Sequence, residues 1–299
     1  MFNRFIRNTG MVAAMFAGAG QAFSQGTTQL DLQSSADGVV WSDNTEIQLG
    51  AGETRTVLVR ALVTWVGTQV PTGFASLTWQ PAFGNVRHGI DSVQGFANQG
   101  NNTNGGSVVL DGTPLDGPFG RISPFASSGP SVGSAQRYQP IAHSGGSGGA
   151  PAGDYLRIAR NDITRWMGTG PTSGTAAVNN FNGAGGIACV QKSQGNVGSA
   201  DPAYEPRITN VAIFQIALTV GGVADGTTHI IDLLAPTDGM SRNTTTGDRQ
   251  ASWFSGGGDN SGSLKGTVLV DPGTITITPA PGAITLFACG VFAAARRRR

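Results

Sequence analysis

Residues 54–65 read Thr-Arg-Thr-Val-Leu-Val-Arg-Ala-Leu-Val-Thr-Trp, and this stretch determines the fold class that we expect. Every second side chain is apolar, at Val57, Val59, Ala61, Val63 and Trp65. The alternate positions mix polar and apolar residues. A period of two with one apolar face is typical of a β-strand that buries one side and leaves the other partly in solvent.

The same alternation recurs along the chain. Apolar side chains alternate with others in two segments, residues 210–220 and 228–234. The turn signals Gly221-Gly222 and Asp225-Gly226 lie between these segments. We therefore predict a hairpin with a loop of about seven residues. Residues 274–278 alternate cleanly and are predicted as the last strand. Shorter candidate strands are residues 38–42, 45–49, 74–80, 107–111, 186–191, 250–254 and 266–270.

Composition supports an all-β chain. Of 299 residues, 46 are Gly and 15 are Pro, and both residues break helix interiors, which excludes a coiled coil. About ten to fourteen short strands predict a β-sandwich, of which the jelly roll is one form, with long Gly/Ser-rich loops. Residues 127–153 are predicted to be a mobile excursion or linker, and the body is either one domain or two subdomains divided at this stretch. Residues 154–167 fit either a helix or a hairpin, and we favour the hairpin.

The N-terminus has the three parts of a secretory signal peptide. Arg4 and Arg7 provide a basic start, and an apolar run of about ten residues follows. Ala22 and Ser24 then place small side chains before a cleavage site at Gln25. We predict that residues 1–24 are removed on export. The alternative is an amphipathic or buried N-terminal helix.

The C-terminus contains a proline-rich spacer at residues 278–282, an apolar stretch at 283–295 and four arginines. As a helix the apolar stretch is roughly 20 Å long, shorter than the ~30 Å hydrocarbon core of a bilayer. The arginines would stay in the cytoplasm, and their long side chains could extend the span. This pattern predicts a short membrane segment with the body on the periplasmic side.

These last residues resemble the PEP-CTERM sorting signal. The residues that carry the resemblance are Pro279, Ala280, Pro281, Arg296, Arg297, Arg298 and Arg299. Ala280 stands where the family has Glu. The resemblance implies export through the secretion machinery, a transient stay in the inner membrane, and cleavage by an exosortase-type transpeptidase before transfer to the cell surface or extracellular matrix. The alternative for residues 279–299 is a plain C-terminal membrane anchor.

Charge and cysteine content limit the functions of the body at residues 25–278. With the six terminal arginines set aside, 13 basic and 18 acidic residues remain, a net charge of −5, so no basic patch for nucleic acid is expected. Cys189 is the only thiol of this body and is predicted to be a small buried residue, because Cys289 lies in the apolar C-terminal stretch.

No sequence motif indicates an enzyme. Two G-x-S-x-G matches, at residues 129–133 and 145–149, lie in the predicted excursion and lack the strand and helix that a nucleophile elbow needs. The histidines at 88, 143 and 229 lack a second ligand at metal-binding spacing. Residues 259–262 faintly resemble the start of a calcium loop without its terminal Glu, so calcium stays open as a ligand but is not indicated. No cofactor is predicted, and a secreted hydrolase is the least favoured function.

Two further observations connect the body with polysaccharide. Trp253 and Phe254 precede a glycine run and are the candidate sugar-binding residues, although a core position is the favoured interpretation of Trp253, as it is of Trp65. Residues 52–59 and 73–79 resemble the opening strands of cohesin-like and other polysaccharide-associated sandwiches. We therefore expect an exported, non-enzymatic surface or matrix protein, with a carbohydrate-binding module as the alternative.

Overall fold

A computed structural model describes residues 26–87, 89–93, 120–125, 138–143, 155–160, 187–196, 204–223, 227–236, 240, 247–255 and 263–280. These residues form an all-β fold with one short 3₁₀ turn at Gln194–Asn196. The predicted signal peptide, the apolar C-terminal stretch and the four arginines lie outside the described residues. No helix in the described ranges is long and apolar enough to cross a bilayer.

Fifteen strands lie in the described part of the chain. In chain order they are β1 (Gly26–Ser35), β2 (Asn44–Leu49), β3 (Thr54–Val66), β4 (Gly73–Trp79), β5 (Ala82–Gly84), β6 (Ser92–Val93), β7 (Gly120–Arg121), β8 (Tyr138–His143), β9 (Tyr155–Arg160), β10 (Ile187–Val190), β11 (Val211–Gly221), β12 (His229–Leu234), β13 (Gln250–Phe254), β14 (Ser263–Asp271) and β15 (Thr274–Pro279).

The strands form two sheets. Sheet A has nine strands in the order β10-β4-β13-β14-β1-β3-β11-β6, with β7 paired to β11, and sheet B has six in the order β2-β15-β12-β5-β9-β8. Most neighbours are antiparallel, but β1 pairs with β14 and β2 pairs with β15 in parallel. The sheets are therefore mixed, whereas a jelly roll is antiparallel throughout.

One apolar core joins the two sheets. It includes Leu30 and Val57 from sheet A together with Phe83 and Ile275 from sheet B. The strand β3 behaves as its sequence predicts, because its apolar face is buried and Arg60 on the opposite face is only half-buried. Two apolar sheet faces packed on one core make this body a β-sandwich.

The predicted hairpin between residues 210–220 and 228–234 is wrong. Strand β11 lies in sheet A beside β3, whereas β12 lies in sheet B between β15 and β5. Between the end of β11 and the start of β12 the chain passes from sheet A to sheet B. Both strands have the predicted alternation, so the error concerns their partners and not their existence.

Several other predictions are corrected or confirmed. Residues 38–42 are not a strand, because Ser35 and Asp37 side chains accept backbone N–H groups there and hold a loop. The excursion at 127–153 contains strand β8, which pairs with β9 over its whole length. Strand β1 was not predicted. Candidate strands 45–49, 74–80, 186–191, 250–254, 266–270 and 274–278 are confirmed, and 107–111 lies outside the described residues.

Candidate functional site

The outward face of sheet A carries a polar cleft. Strand β1 buries Leu30 and Leu32 on its inner face, so the alternate residues Gln29, Asp31 and Gln33 point outward. Asp31 pairs in register with Asp271 of β14, and Gln29 pairs with Thr64 of β3. A cleft of about 280 Å³ results, and it is lined by Gln29, Asp31, Thr64, Asn210, Leu269, Val270 and Asp271.

A chain of hydrogen bonds orients Asp31 in this cleft. Arg60 Nε and Nη2 donate to Gln33 Oε1 at 3.1 and 2.7 Å. Gln33 Nε2 donates in turn to Asp31 Oδ2 at 2.9 Å. The Arg60 guanidinium also stacks 4.1 Å from the centre of the Trp41 ring, a cation–π contact that limits its motion. The network thus fixes the direction of the Asp31 carboxylate.

The second oxygen of Asp31 has no partner. Asp31 Oδ1 is shielded from solvent and accepts no hydrogen bond. Burial, followed by the nearby charges of Asp43 and Asp271, raises the pKa of Asp31 to about 6 in spite of the opposing effects of Arg60 and Gln33. An unsatisfied acceptor beside like charges costs stability, which is what a site kept for a ligand would show.

We expect Asp31→Asn to stabilise the protein at neutral pH. Folding favours the protonated form of Asp31, because its pKa rises from 3.8 to about 6. The stability associated with that proton is present below about pH 4 and is lost as the pH rises toward 6. Since the carboxyl is partly solvated and screened, we expect a gain of only about 1 kcal/mol for the variant at pH 7 and none near pH 4. Urea unfolding of the variant and the parent at both pH values measures this gain in stability. An equal gain at pH 4 and pH 7 would contradict the prediction.

A second polar cluster lies where β11 ends and β12 begins. The Asp91 side chain has no exposed surface and accepts hydrogen bonds from Arg87 Nε, at 3.1 Å, and from Arg87 Nη2, at 2.9 Å. The Gly221 N–H also donates to Asp91 Oδ1 at 3.2 Å, and His229 Nε2 lies 3.5 Å from Oδ2. Burial alone would raise the pKa of Asp91, but the interactions with His229, Arg87 and Gly221 outweigh it and lower that pKa. This cluster joins the two sheets.

The structure contradicts the interpretation of Trp253 as a sugar-stacking platform. Trp253 has no exposed surface, packs against Trp65 and Phe74, and donates from Nε1 to Thr28 Oγ1 at 2.8 Å. Its ring therefore offers no face to a ligand. The neighbouring Phe254 is half-buried, and its ring centre lies 6.1 Å from that of Tyr204. The core interpretation is confirmed for Trp253 and Trp65.

Other sequence-predicted residues fall as follows. Cys189 is buried, as predicted. Pro279 and Ala280 lie at the end of sheet B. Within the described ranges, no group of three or more His, Cys, Asp and Glu residues could hold a metal ion. Outside the described residues lie Ala22, Ser24, Gln25, Pro281, His88, both G-x-S-x-G matches, the 259–262 segment and the arginine tail.

Sequence reasoning missed the cleft on sheet A. Its two carboxylates are 240 positions apart, and only the parallel pairing of β1 with β14 brings them together. The available signal was the alternation of Gln29, Asp31 and Gln33 with the apolar residues between them. That alternation marks a strand whose outward face is polar, but it does not identify the neighbouring strands.

Comparisons with known proteins give no family. No family model and no curated protein matches the chain. Among solved structures, an OlpC cohesin of Clostridium thermocellum in a type I cohesin–dockerin complex matches 88% of this chain and 100% of its own, with 7% identity and a TM-score of 0.31. The third ScaC cohesin of Acetivibrio cellulolyticus, bound to the ScaB dockerin, has 9% identity, a TM-score of 0.31 and coverages of 84% and 99%. Function must therefore be argued from this chain's own residues.

Proposed function

We propose that this protein is an exported, non-enzymatic component of the cell surface or extracellular matrix. Its N-terminal segment directs it to the secretion machinery, and its C-terminal segment holds it in the inner membrane for a time. An exosortase-type transpeptidase then cuts near Pro279-Ala280-Pro281 and passes the β-sandwich outward.

The position of the folded body carries this proposal. The first strand begins at Gly26, directly after the expected signal cleavage before Gln25. The last strand ends at Pro279, within the expected sorting motif. In the part of the chain that the structure describes, the strands thus lie within the interval between the two expected processing sites.

The first residues of the expected spacer and sorting motif are hydrogen-bonded to the body. We expected residues 278–282 to form an extended spacer, but Thr278 Oγ1 donates to the Ile47 carbonyl at 3.3 Å. The Ala280 N–H likewise donates to the Leu49 carbonyl at 3.1 Å. Strand β15 thus reaches Pro279, and Ala280 remains hydrogen-bonded to β2. Cleavage near Ala280 requires the end of this strand to open, as strand ends do readily.

Replacing Arg296, Arg297, Arg298 and Arg299 by Gln tests the sorting step in the native host. The wild-type chain is expected to give a membrane-held precursor and a shorter released product. The variant should lose the released product, because the apolar stretch no longer has its cytoplasmic stop. Immunoblots of membrane and external fractions measure both species.

Arg55→Gln is the control for this test, because Arg55 is an exposed cation on the body. It should leave the released product unchanged. An undiminished released product from the tail variant would overturn the sorting proposal.

A further inference from the structure

The cleft on sheet A has the dimensions of a small ligand site. At about 280 Å³ it is slightly smaller than the usual range for such sites, roughly 300–1,000 Å³. It crosses β14, β1 and β3 and reaches Asn210, just before β11. Because its walls are paired strands, the backbone positions that carry its side chains are set before any ligand arrives.

The polar groups of the cleft match hydroxyl groups. The carboxylates of Asp31 and Asp271 accept hydrogen bonds, whereas the amides of Gln29 and Asn210 both donate and accept. Asp31 Oδ1 is an acceptor with no partner, and Gln33 holds the other oxygen of the same carboxylate. Because Oδ1 is shielded from solvent, a hydroxyl donor must displace the atoms that cover it before it can satisfy this desolvated acceptor.

One apolar side chain borders these groups. Leu269 is 57% exposed on the outward face of β14, whereas the next residue, Val270, packs against the core. Sugar rings present C–H groups on one side and hydroxyl groups around the rim, so a cleft with one apolar edge and several acceptors fits them. A fully polar ligand would leave Leu269 in contact with charge or water.

We infer that this cleft binds a sugar ring of a neutral polysaccharide, with Asp31 and Asp271 accepting hydrogen bonds from its hydroxyl groups and Leu269 contacting its C–H face. The inference rests on the proposed function, which brings sheet A into contact with envelope polysaccharide. It moves the sugar site from Trp253 to the opposite face of sheet A. Acidic polysaccharides are excluded by repulsion from Asp31, Asp43 and Asp271.

Binding of the purified full-length chain to immobilised polysaccharides tests this inference. The chain is kept in an amine-oxide detergent, because a sugar-headed detergent would compete. The panel contains neutral glucans, mannans and galactans, the acidic polymer alginate, and polylysine. We expect binding to at least one neutral polymer and none to alginate, and Asp271→Ala and Asn210→Ala should each weaken it by about 10-fold or more.

Glu46→Gln is the matched control, because it removes one exposed carboxylate from β2 in the other sheet. It should leave the affinity unchanged. Binding that none of the cleft substitutions affects, or the absence of binding to every neutral polymer, would overturn the inference. Binding to polylysine alone would also overturn it and would identify the face as a surface for a basic partner.

Failure of the sugar site and failure of the proposed function give different results. A chain that is released from the cell but binds no neutral polymer keeps the sorting proposal and removes the site. A chain that binds such a polymer through Asp271 but stays in the cytosol with intact termini keeps the site and removes the sorting proposal.

Discussion

Trp253→Ala is expected to lower the free energy of unfolding by about 3–5 kcal/mol, the usual cost of deleting a large buried ring. Trp253 has no exposed surface. Its ring centre lies 5.7 Å from that of Trp65 and 5.1 Å from that of Phe74. The substitution leaves a cavity among these rings and also removes the only described donor to the Thr28 hydroxyl. Urea or guanidinium unfolding measures the loss.

Two companion variants make this test specific. Trp253→Phe refills most of the cavity but lacks the indole N–H, so a smaller loss of about 1–2 kcal/mol is expected. Phe254→Ala, at the next and half-buried position, should also cost less than Trp253→Ala. If the free energy of unfolding of Trp253→Ala lay within about 1 kcal/mol of the parent value, Trp253 would not be a core residue.

Asp91→Ala is expected to destabilise the body by about 2–3 kcal/mol, because the Arg87 guanidinium loses its buried carboxylate and keeps only the Gly221 and Gly222 carbonyls as acceptors. The Asp91 side chain is fully buried, whereas that of Arg87 is 21% exposed. The same substitution removes the acceptor for the Gly221 N–H, which lies at the end of β11. This cluster connects β11 with the start of β12, so the substitution should weaken the packing between the two sheets. Urea unfolding of Asp91→Ala and the parent measures the loss of stability.

The pH dependence of stability distinguishes the contribution of the Asp91 charge from that of the packing of its side chain. The pKa of Asp91 is lowered in the folded state, so its contribution is present above the unfolded value and is lost as the pH falls below it. Asp91→Asn keeps the shape, and its stability should therefore vary less than that of the parent below about pH 4. Parallel acid-unfolding curves for the two proteins would contradict this account.

The strands were predictable where one face is apolar. Strands β3 and β15 have a strict period of two, and the structure places both as expected. Strand β1 has the same period but was missed, because polar Thr28 and Ser34 occupy two of its buried positions. Burial of these hydroxyl groups depends on partners elsewhere, such as Trp253 for Thr28 and Thr45 for Ser34.

Strand partners could not be read from the sequence. The glycines after β11 indicate that the chain turns, but they are equally compatible with a hairpin and with a crossing to the other sheet. The cleft on sheet A depends on those partners, since Asp31 and Asp271 meet only through parallel pairing. A single sequence records the alternation of each strand and not its register with strands far along the chain.

The intact mass of the native protein, together with its location in the cell, tests the central proposal most directly. We expect a mature chain that starts near Gln25, ends between Thr278 and Pro281, and is recovered outside the inner membrane. A chain recovered from the cytosol with Met1 and Arg299 both present would contradict it.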